Sequence, residues 1–260
     1  MVGMHVDSSG SGVPLVMLHG WGMHGGMWGS AAKHLARHVR VMAVDFPGHG
    51  HSRGQKKGNA ELLDSIVDEL SAQFNEPITV CGWSLGGQIA LRWAMRHPQQ
   101  VNRLVLVAST PCFVQRLDWP CAMAAETLHE FSAALLNNYR PTLKRFAALQ
   151  VRGSEHEREL LADFREHLFS RGEPDRAALI GGLAILRDTD LRAVLPQITQ
   201  PALVMAGERD MLTPPAASAY LAETLADARL VEIKGAAHAP FLSHPDIFVE
   251  HLTGFMHERI

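Results

Sequence analysis

The chain alternates between short, near-continuous apolar runs and longer amphipathic stretches. The runs are "PLVMLH" (14–19), "RVMAVDF" (40–46), "ITVCGW" (78–83), "RLVLVAS" (103–109), "PALVMAG" (201–207) and "RLVEIKG" (229–235). Apolar runs of this length with little alternation suit strands buried on both faces, and so predict a parallel sheet. Between and after them, "NAELLDSIVDELSAQF" (59–74), "LGGQIALRWAMRH" (85–97), "PPAASAYLAETLAD" (214–227) and "PDIFVEHLTGFMHE" (245–258) carry helical patterns. Strand then helix, repeated, is the signature of parallel crossovers. From about 111 to 187 the strand signal stops. Four amphipathic helical stretches follow one another there, with Met123, Leu128, Phe131 and Leu135 marking the apolar face of the first. The expected architecture is an α/β core (1–110 and 188–260), its mostly parallel central sheet flanked by helices, with an inserted helical unit (111–187).

Composition adds bounds. With 260 residues, 47% of them hydrophobic and 20% charged, the chain can bury a full core. Its net charge of −3 gives no global pull toward nucleic acid or an anionic membrane, so charge recognition must come from a local patch. The start "MVGMHVDSSGSG" lacks the basic residues and apolar core of a secretory signal. No apolar run reaches the roughly 18 residues of a spanning helix. A cytoplasmic monomer is the expectation. Cys81, Cys112 and Cys121 are odd in number and form no C-x-x-C pair, so reduced, non-catalytic thiols are expected. The 15 histidines show neither H-E-x-x-H nor another metal-ligand spacing, and no metal or organic cofactor is expected.

Two glycine motifs carry the chemistry. Gly20, Gly22 and Gly25 satisfy G-x-G-x-x-G after a predicted strand, and Asp45 follows at about the distance of a ribose-binding acid. Taken alone, that is a dinucleotide signature. The second motif is "GWSLG" (82–86), set between the strand "ITVCGW" and the helix "LGGQIALRWAM". This is where a nucleophilic serine needs to be, because Gly82 and Gly86 leave room for a sharp turn that lifts the Ser84 hydroxyl off the sheet. The bland alternative is a serine that merely caps its helix. A serine nucleophile needs a histidine base and an acid, supplied in the order Ser, acid, His by loops after later strands. "ERDMLTPP" (208–215) offers Glu208 and Asp210, and "GAAHAP" (235–240) offers His238. Asp210 is preferred because it lies deeper in its loop, ahead of Pro214 and Pro215. His238 is preferred over His244, which precedes Pro245 and leads into the last helix. With this triad the first motif reads differently: Trp21 and Leu85 stand where two N–H donors for an oxyanion belong, and Trp21 also walls an acyl pocket.

Together "LHGWG" (18–22), "DFPGHGHSRG" (45–54), "GWSLGG" (82–87) and "AAHAPFLSHP" (236–245) resemble the α/β-hydrolase superfamily. Within it, "ASTPCF" (108–113), "DWP" (118–120), "RFAALQ" (145–150) and "HAPF" (238–241) resemble the family of pimeloyl-[acyl-carrier protein] methyl ester esterases of biotin synthesis, nearly end to end. The resemblance implies an α/β-hydrolase fold whose inserted helices form a lid, and a serine esterase working through an acyl-enzyme. It assigns Ser84, Asp210 and His238 as nucleophile, acid and base, Trp21 and Leu85 as oxyanion donors, and Phe146 as a lining of the acyl channel. It also implies arginine contacts from the lid to an acyl-carrier protein. Arg145 and Arg158 match such positions, whereas Pro141 stands where another arginine is expected, with Arg140 beside it. Charge patterning points the same way. Residues 137–154 carry Arg140, Lys144, Arg145 and Arg152 and no acid, although Glu155, Glu157 and Glu159 follow at once and could neutralise the patch. A basic rim would steer a small acidic carrier. A broad short-chain carboxylesterase would use the same triad without a carrier, and a silent ligand-binding scaffold is the remaining reading.

Overall fold

The computed structural model describes residues 3–52, 54 and 62–258. The six apolar runs form β2 (Pro14–Leu18), β3 (Arg40–Val44), β4 (Ile78–Trp83), β5 (Val101–Val107), β6 (Ala202–Gly207) and β7 (Ala228–Ile233). They pair in parallel. A further strand, β1 (Val6–Ser9), closes one edge antiparallel to β3, giving the order β1-β3-β2-β4-β5-β6-β7. The strand β1 has no counterpart in the apolar pattern. Three of its four residues are exposed and its sequence is VDSS, so pairing with β3 and not side-chain burial holds it in place. The inner strands β4 and β6 are buried at every residue, as expected for strands covered on both faces.

Helices α1 (Gly29–Leu35) and α10 (Pro245–His257) pack together, as do α2 (Leu62–Gln73) and α3 (Leu85–Arg96), while α8 (Pro215–Thr224) lies on β6 and β7. The first three residues of the predicted 59–74 helix lie outside the described residues. Between β5 and β6 come α4 (Ala125–Asn137), α5 (Tyr139–Val151), α6 (Glu157–His167) and α7 (Arg176–Asp188). Leu128 and Leu135 are buried on α4 with Phe131 half-buried, but Met123 precedes that helix and bridges to Val114. Among the described residues no helix is long and apolar enough to cross a membrane.

The chain leaves β2 toward β3 on one side and returns to β4 on the other, so the sheet order switches between β2 and β4. In open α/β sheets a crevice opens at the carboxyl ends of the strands at such a point. Those ends carry His19–Trp21 and Ser84. Behind them, Trp28, Trp83, Phe241 and Phe248 form a buried aromatic group, with Trp28–Phe241 centroids 4.5 Å apart and Trp83–Phe241 centroids 4.9 Å apart. The short helix α9 (Pro240–Ser243), directly after His238, contributes Phe241 to that group.

Candidate active site

Ser84 sits at the junction of β4 and α3 with φ 55° and ψ −116°, a region that residues bearing a Cβ rarely enter. The glycines around it are required by contact. A Cβ at Gly82 would stand 2.3 Å from the Gly86 carbonyl oxygen, and one at Gly86 would stand 2.3 Å from that of Leu18. The strained backbone is held from both sides. Ser84 N–H donates to the Val107 oxygen at 2.9 Å, and the Ser84 oxygen accepts from Gly87 N–H and from the buried Ser109 hydroxyl, each at 2.9 Å. Its own hydroxyl makes no cap bond to α3, so the serine is not serving as a helix cap.

The loops after β6 and β7 meet beside it. Arg209 N–H donates to the Ala236 oxygen at 2.8 Å, and Gly207 approaches so closely that a Cβ there would lie 2.0 Å from the Ala237 oxygen. This contact brings His238 onto Asp210, Nδ1 to Oδ2 at 2.8 Å, with both side chains 1% exposed. Asp210 is fully engaged. Its Oδ1 accepts from the Leu212 and Thr213 N–H groups at 2.8 and 3.0 Å, and its Oδ2 also accepts from the Thr213 hydroxyl at 2.8 Å. With Nδ1 donating to the carboxylate, Nε2 is the free acceptor of His238, and it is buried without a hydrogen-bond partner. Trp83 Nε1–H fixes the histidine loop by donating to the His238 oxygen at 2.8 Å. Glu208 turns elsewhere, accepting from Gly235 N–H at 2.9 Å, and His244 pairs with the Ser243 hydroxyl.

The glycine loop after β2 faces the serine. A Cβ on Gly20 would lie 3.4 Å from Ser84 Cβ. His19 is fully buried and neutral, since burial holds it well below the usual imidazole value. Its Nε2 accepts from Phe46 N–H at 3.0 Å, so Nδ1 carries the proton and donates to the Gly20 oxygen at 2.8 Å. Because C=O and the next N–H point opposite ways in a trans peptide, Trp21 N–H is turned away from His19. Leu85, the first residue of α3, has one of the N–H groups that lack an intrahelical acceptor. The loop does lead into a short helical turn (Gly25–Trp28) and α1, as a phosphate site would. Asp45, however, occupies it: the fully buried carboxylate accepts from Gly25 N–H at 2.6 Å and from His51 N–H at 2.8 Å. The acid spaced for a ribose is the loop's own anion. His5 and His51 approach Asp45 closely enough to hold a cation, but Arg171 Nη1 already lies 3.2 Å from each Asp45 oxygen.

Trp21 points into the inserted helices, its Nε1–H donating to the Leu179 oxygen at 2.9 Å. Its ring meets Phe146 edge-on at 5.0 Å and Phe131 at 5.3 Å. These three line a largely apolar pocket of about 50 Å³ with Leu149, Leu183 and Leu212, Thr127 being its one polar residue. On the outer side of α5, Leu149 also borders an open depression lined by Lys144, Arg145 and Arg165. Arg165 is absent from the sequence prediction because it sits on the next helix, beside Glu166. Lys144, Arg145, Arg152, Arg158 and Arg165 have no ion-pair partner among the described residues. Glu157 accepts from Gly153 N–H, and Glu155 packs at Gly235, so these two acids bond elsewhere. Arg140 is separate: it pairs with Glu173 and lies over the Phe169 ring. Thr213 and Ser109, which buttress the site, also escape sequence reading, since single hydroxyl residues in loops carry no pattern. Burial pushes the Cys81 thiol up, and the buried Cys112 thiol donates to the Val114 oxygen, so neither is activated.

The sequence pattern of the alpha/beta hydrolase fold matches residues 13–245. The chain is 44% identical over 249 residues to the pimeloyl-[acyl-carrier protein] methyl ester esterase of Nitrosomonas europaea, covering 96% of this chain and 98% of that protein. It is 40% identical over 258 residues to the protein of the same name from Nitrosospira multiformis, covering 98% of each. Among solved structures it resembles an esterase from Exiguobacterium antarcticum, with a TM-score of 0.89 and 28% identity over 98% of this chain and 96% of that one.

Proposed function

Since this chain belongs to the α/β-hydrolase fold family and, within it, to the pimeloyl-[acyl-carrier protein] methyl ester esterases, we propose that it hydrolyses the methyl ester of a pimeloyl chain borne by an acyl-carrier protein. Ser84 is the nucleophile, His238 the general base and Asp210 its orienting acid. Ser84 Oγ attacks the ester carbonyl as His238 Nε2 takes the hydroxyl proton. The negative charge that develops on the carbonyl oxygen is met by the Trp21 and Leu85 N–H groups. Collapse of the intermediate breaks the bond to methoxide, which leaves as methanol with the proton from His238. Water, deprotonated in turn by His238, then releases the free carboxylate and regenerates Ser84. The observation that carries this reading is the buried His238–Asp210 pair, with Nε2 left unpartnered in a loop tied to Trp83, the residue before the strained Ser84.

The helices α4–α7 form the lid in this reading. The apolar pocket around Trp21 and Phe146 takes the methylene chain, and the depression at Lys144, Arg145 and Arg165 receives the acidic carrier. Arg152, just after α5, and Arg158, on α6, are exposed and add to the positive charge of these helices. The test is the initial rate on carrier-linked methyl pimelate against a matched free methyl ester, at low and at high salt. A carrier advantage in kcat/KM that fades with salt is expected, since screening shortens from about 10 Å at 0.1 M to about 3 Å at 1 M. Equal, salt-insensitive rates would make the protein a general carboxylesterase. Ser84→Ala should lose turnover by about a million-fold and lose labelling by a serine-reactive phosphonate. Retained activity would remove Ser84 from its role.

A further inference from the structure

The network around Asp45 does more than fill a glycine loop. Asp45 directly follows β3, yet its side chain holds the loop after β2 through Gly25 N–H, four residues beyond Trp21. Its two oxygens face Arg171, which arrives from the connection between α6 and α7, 126 residues along the chain. Arg171 Nη2 also reaches Asp7 on β1, and the guanidinium packs on Gly26 so tightly that a Cβ there would lie 2.7 Å from Nε. A second tie joins the same two segments. His24 Nδ1 accepts from Gly26 N–H at 3.1 Å, so its Nε2 carries the proton and donates to the His167 oxygen at 3.0 Å. Burial keeps His24 below its ordinary value and therefore neutral, as this pattern demands. The Gly20–Gly26 loop is thus clamped at its far end by the inserted helices.

We propose that Arg171 is a positioning residue for ester hydrolysis: through Asp45 it holds the glycine loop so that Trp21 N–H meets the oxyanion. The proposal rests on the oxyanion role given to Trp21 above. A buried carboxylate tolerates its environment only when paired and hydrogen-bonded. Without the guanidinium, Asp45 must draw in water or turn outward, and Gly25 N–H loses its acceptor. The loop then relaxes where displacement of a donor by a few tenths of an ångström weakens the developing-charge contact and leaves ground-state binding untouched. Turnover in this protein therefore depends on the α6–α7 connection being seated on the core.

The experiment measures steady-state hydrolysis of p-nitrophenyl acetate, a small ester needing no carrier, by wild-type protein and by Arg171→Gln, Arg171→Lys and Ser84→Ala. Far-UV circular dichroism and melting curves establish which variants are folded. Folded Arg171→Gln is expected to lose 30-fold or more in kcat with KM within twofold, and Arg171→Lys to recover at least a third of the lost rate on a logarithmic scale while staying at least threefold below wild type. A merely structural arginine would leave kcat per folded molecule at the wild-type value. That result overturns the proposal, as does a loss confined to KM. If Arg171→Gln does not fold, Arg171→Lys decides alone: a kcat lowered at least threefold supports the proposal and an unchanged one ends it. Ser84→Ala separates the two levels, because residual activity there removes the serine mechanism, whereas a dead Ser84→Ala with full-speed Arg171→Gln removes only the role of Arg171.

Discussion

His49 offers a quantitative test of how the loops under the site are held. Its imidazole is buried, Nδ1–H lies 3.1 Å from the Pro47 oxygen, and Nε2 has no partner. Burial pushes its pKa down to about 4, against the opposing pull of the Pro47 carbonyl, Asp45 and Asp175, with His24 adding to the lowering. The unfolded chain should titrate near 6.5. Since the folded value is the lower one, the unfolded state binds the extra proton between the two, and stability falls as pH drops through that window. The contribution is complete above about pH 6.5 and lost progressively toward pH 4, amounting to about 3 kcal/mol. By pH 5 the loss is about 2 kcal/mol, or roughly 4 °C in Tm for a chain this long. Urea unfolding of wild-type protein and His49→Met at pH 7.5 and pH 5.0 isolates the term as a difference of differences. The variant should lose less stability than wild type on acidification, by about 2 kcal/mol. Equal losses in the two proteins would refute the reasoning, whatever the absolute stabilities.

Thr213→Val removes the hydroxyl that donates to Asp210 Oδ2 and should lower stability by about 1–3 kcal/mol, with kcat down about tenfold at unchanged KM; unaltered kinetics would deny Thr213 any part in holding the acid. Lys144→Glu combined with Arg145→Glu should raise KM for the carrier-linked ester at least tenfold at low salt and leave the free ester alone, and equal effects on both would point to lid damage. Gly182→Ala puts a Cβ 2.6 Å from Trp21 Cδ1 and should cost about 100-fold in turnover as the indole is displaced, which kinetics with p-nitrophenyl acetate would check.

The fold was legible where burial imposes a pattern. Strands covered on both faces must be apolar throughout, and "GWSLG" must be glycine-flanked because the turn leaves no room for Cβ atoms. The meeting of Asp210 with His238 was legible too, because each lies in a loop after a late strand of the parallel sheet. What escaped depends on partners distant in sequence. The strand β1 is polar and exists through its pairing with β3. The same is true of Asp45, whose spacing suggested a ribose, while its meaning depends on Gly25 at one end and Arg171 at the other. Thr213 and Arg165 have no local signature at all, since a hydroxyl or a cation becomes informative only once a neighbour is known.

The position of α5 between the basic depression and the apolar pocket bears on which bond breaks. Leu149 borders both, so on the proposed mode of binding α5 is the wall between the face offered to the carrier and the chamber beside Trp21. A substrate tethered at one end and esterified at the other offers two acyl linkages to the same serine. With the tether held outside the wall, only the distal carbonyl can travel inward to the nucleophile, and the linkage to the carrier stays in the thickness of the helix layer. On the proposed mode of binding, the lid is a spacer that decides regiochemistry: it lets the terminal ester be removed while the acyl chain stays attached for its next use.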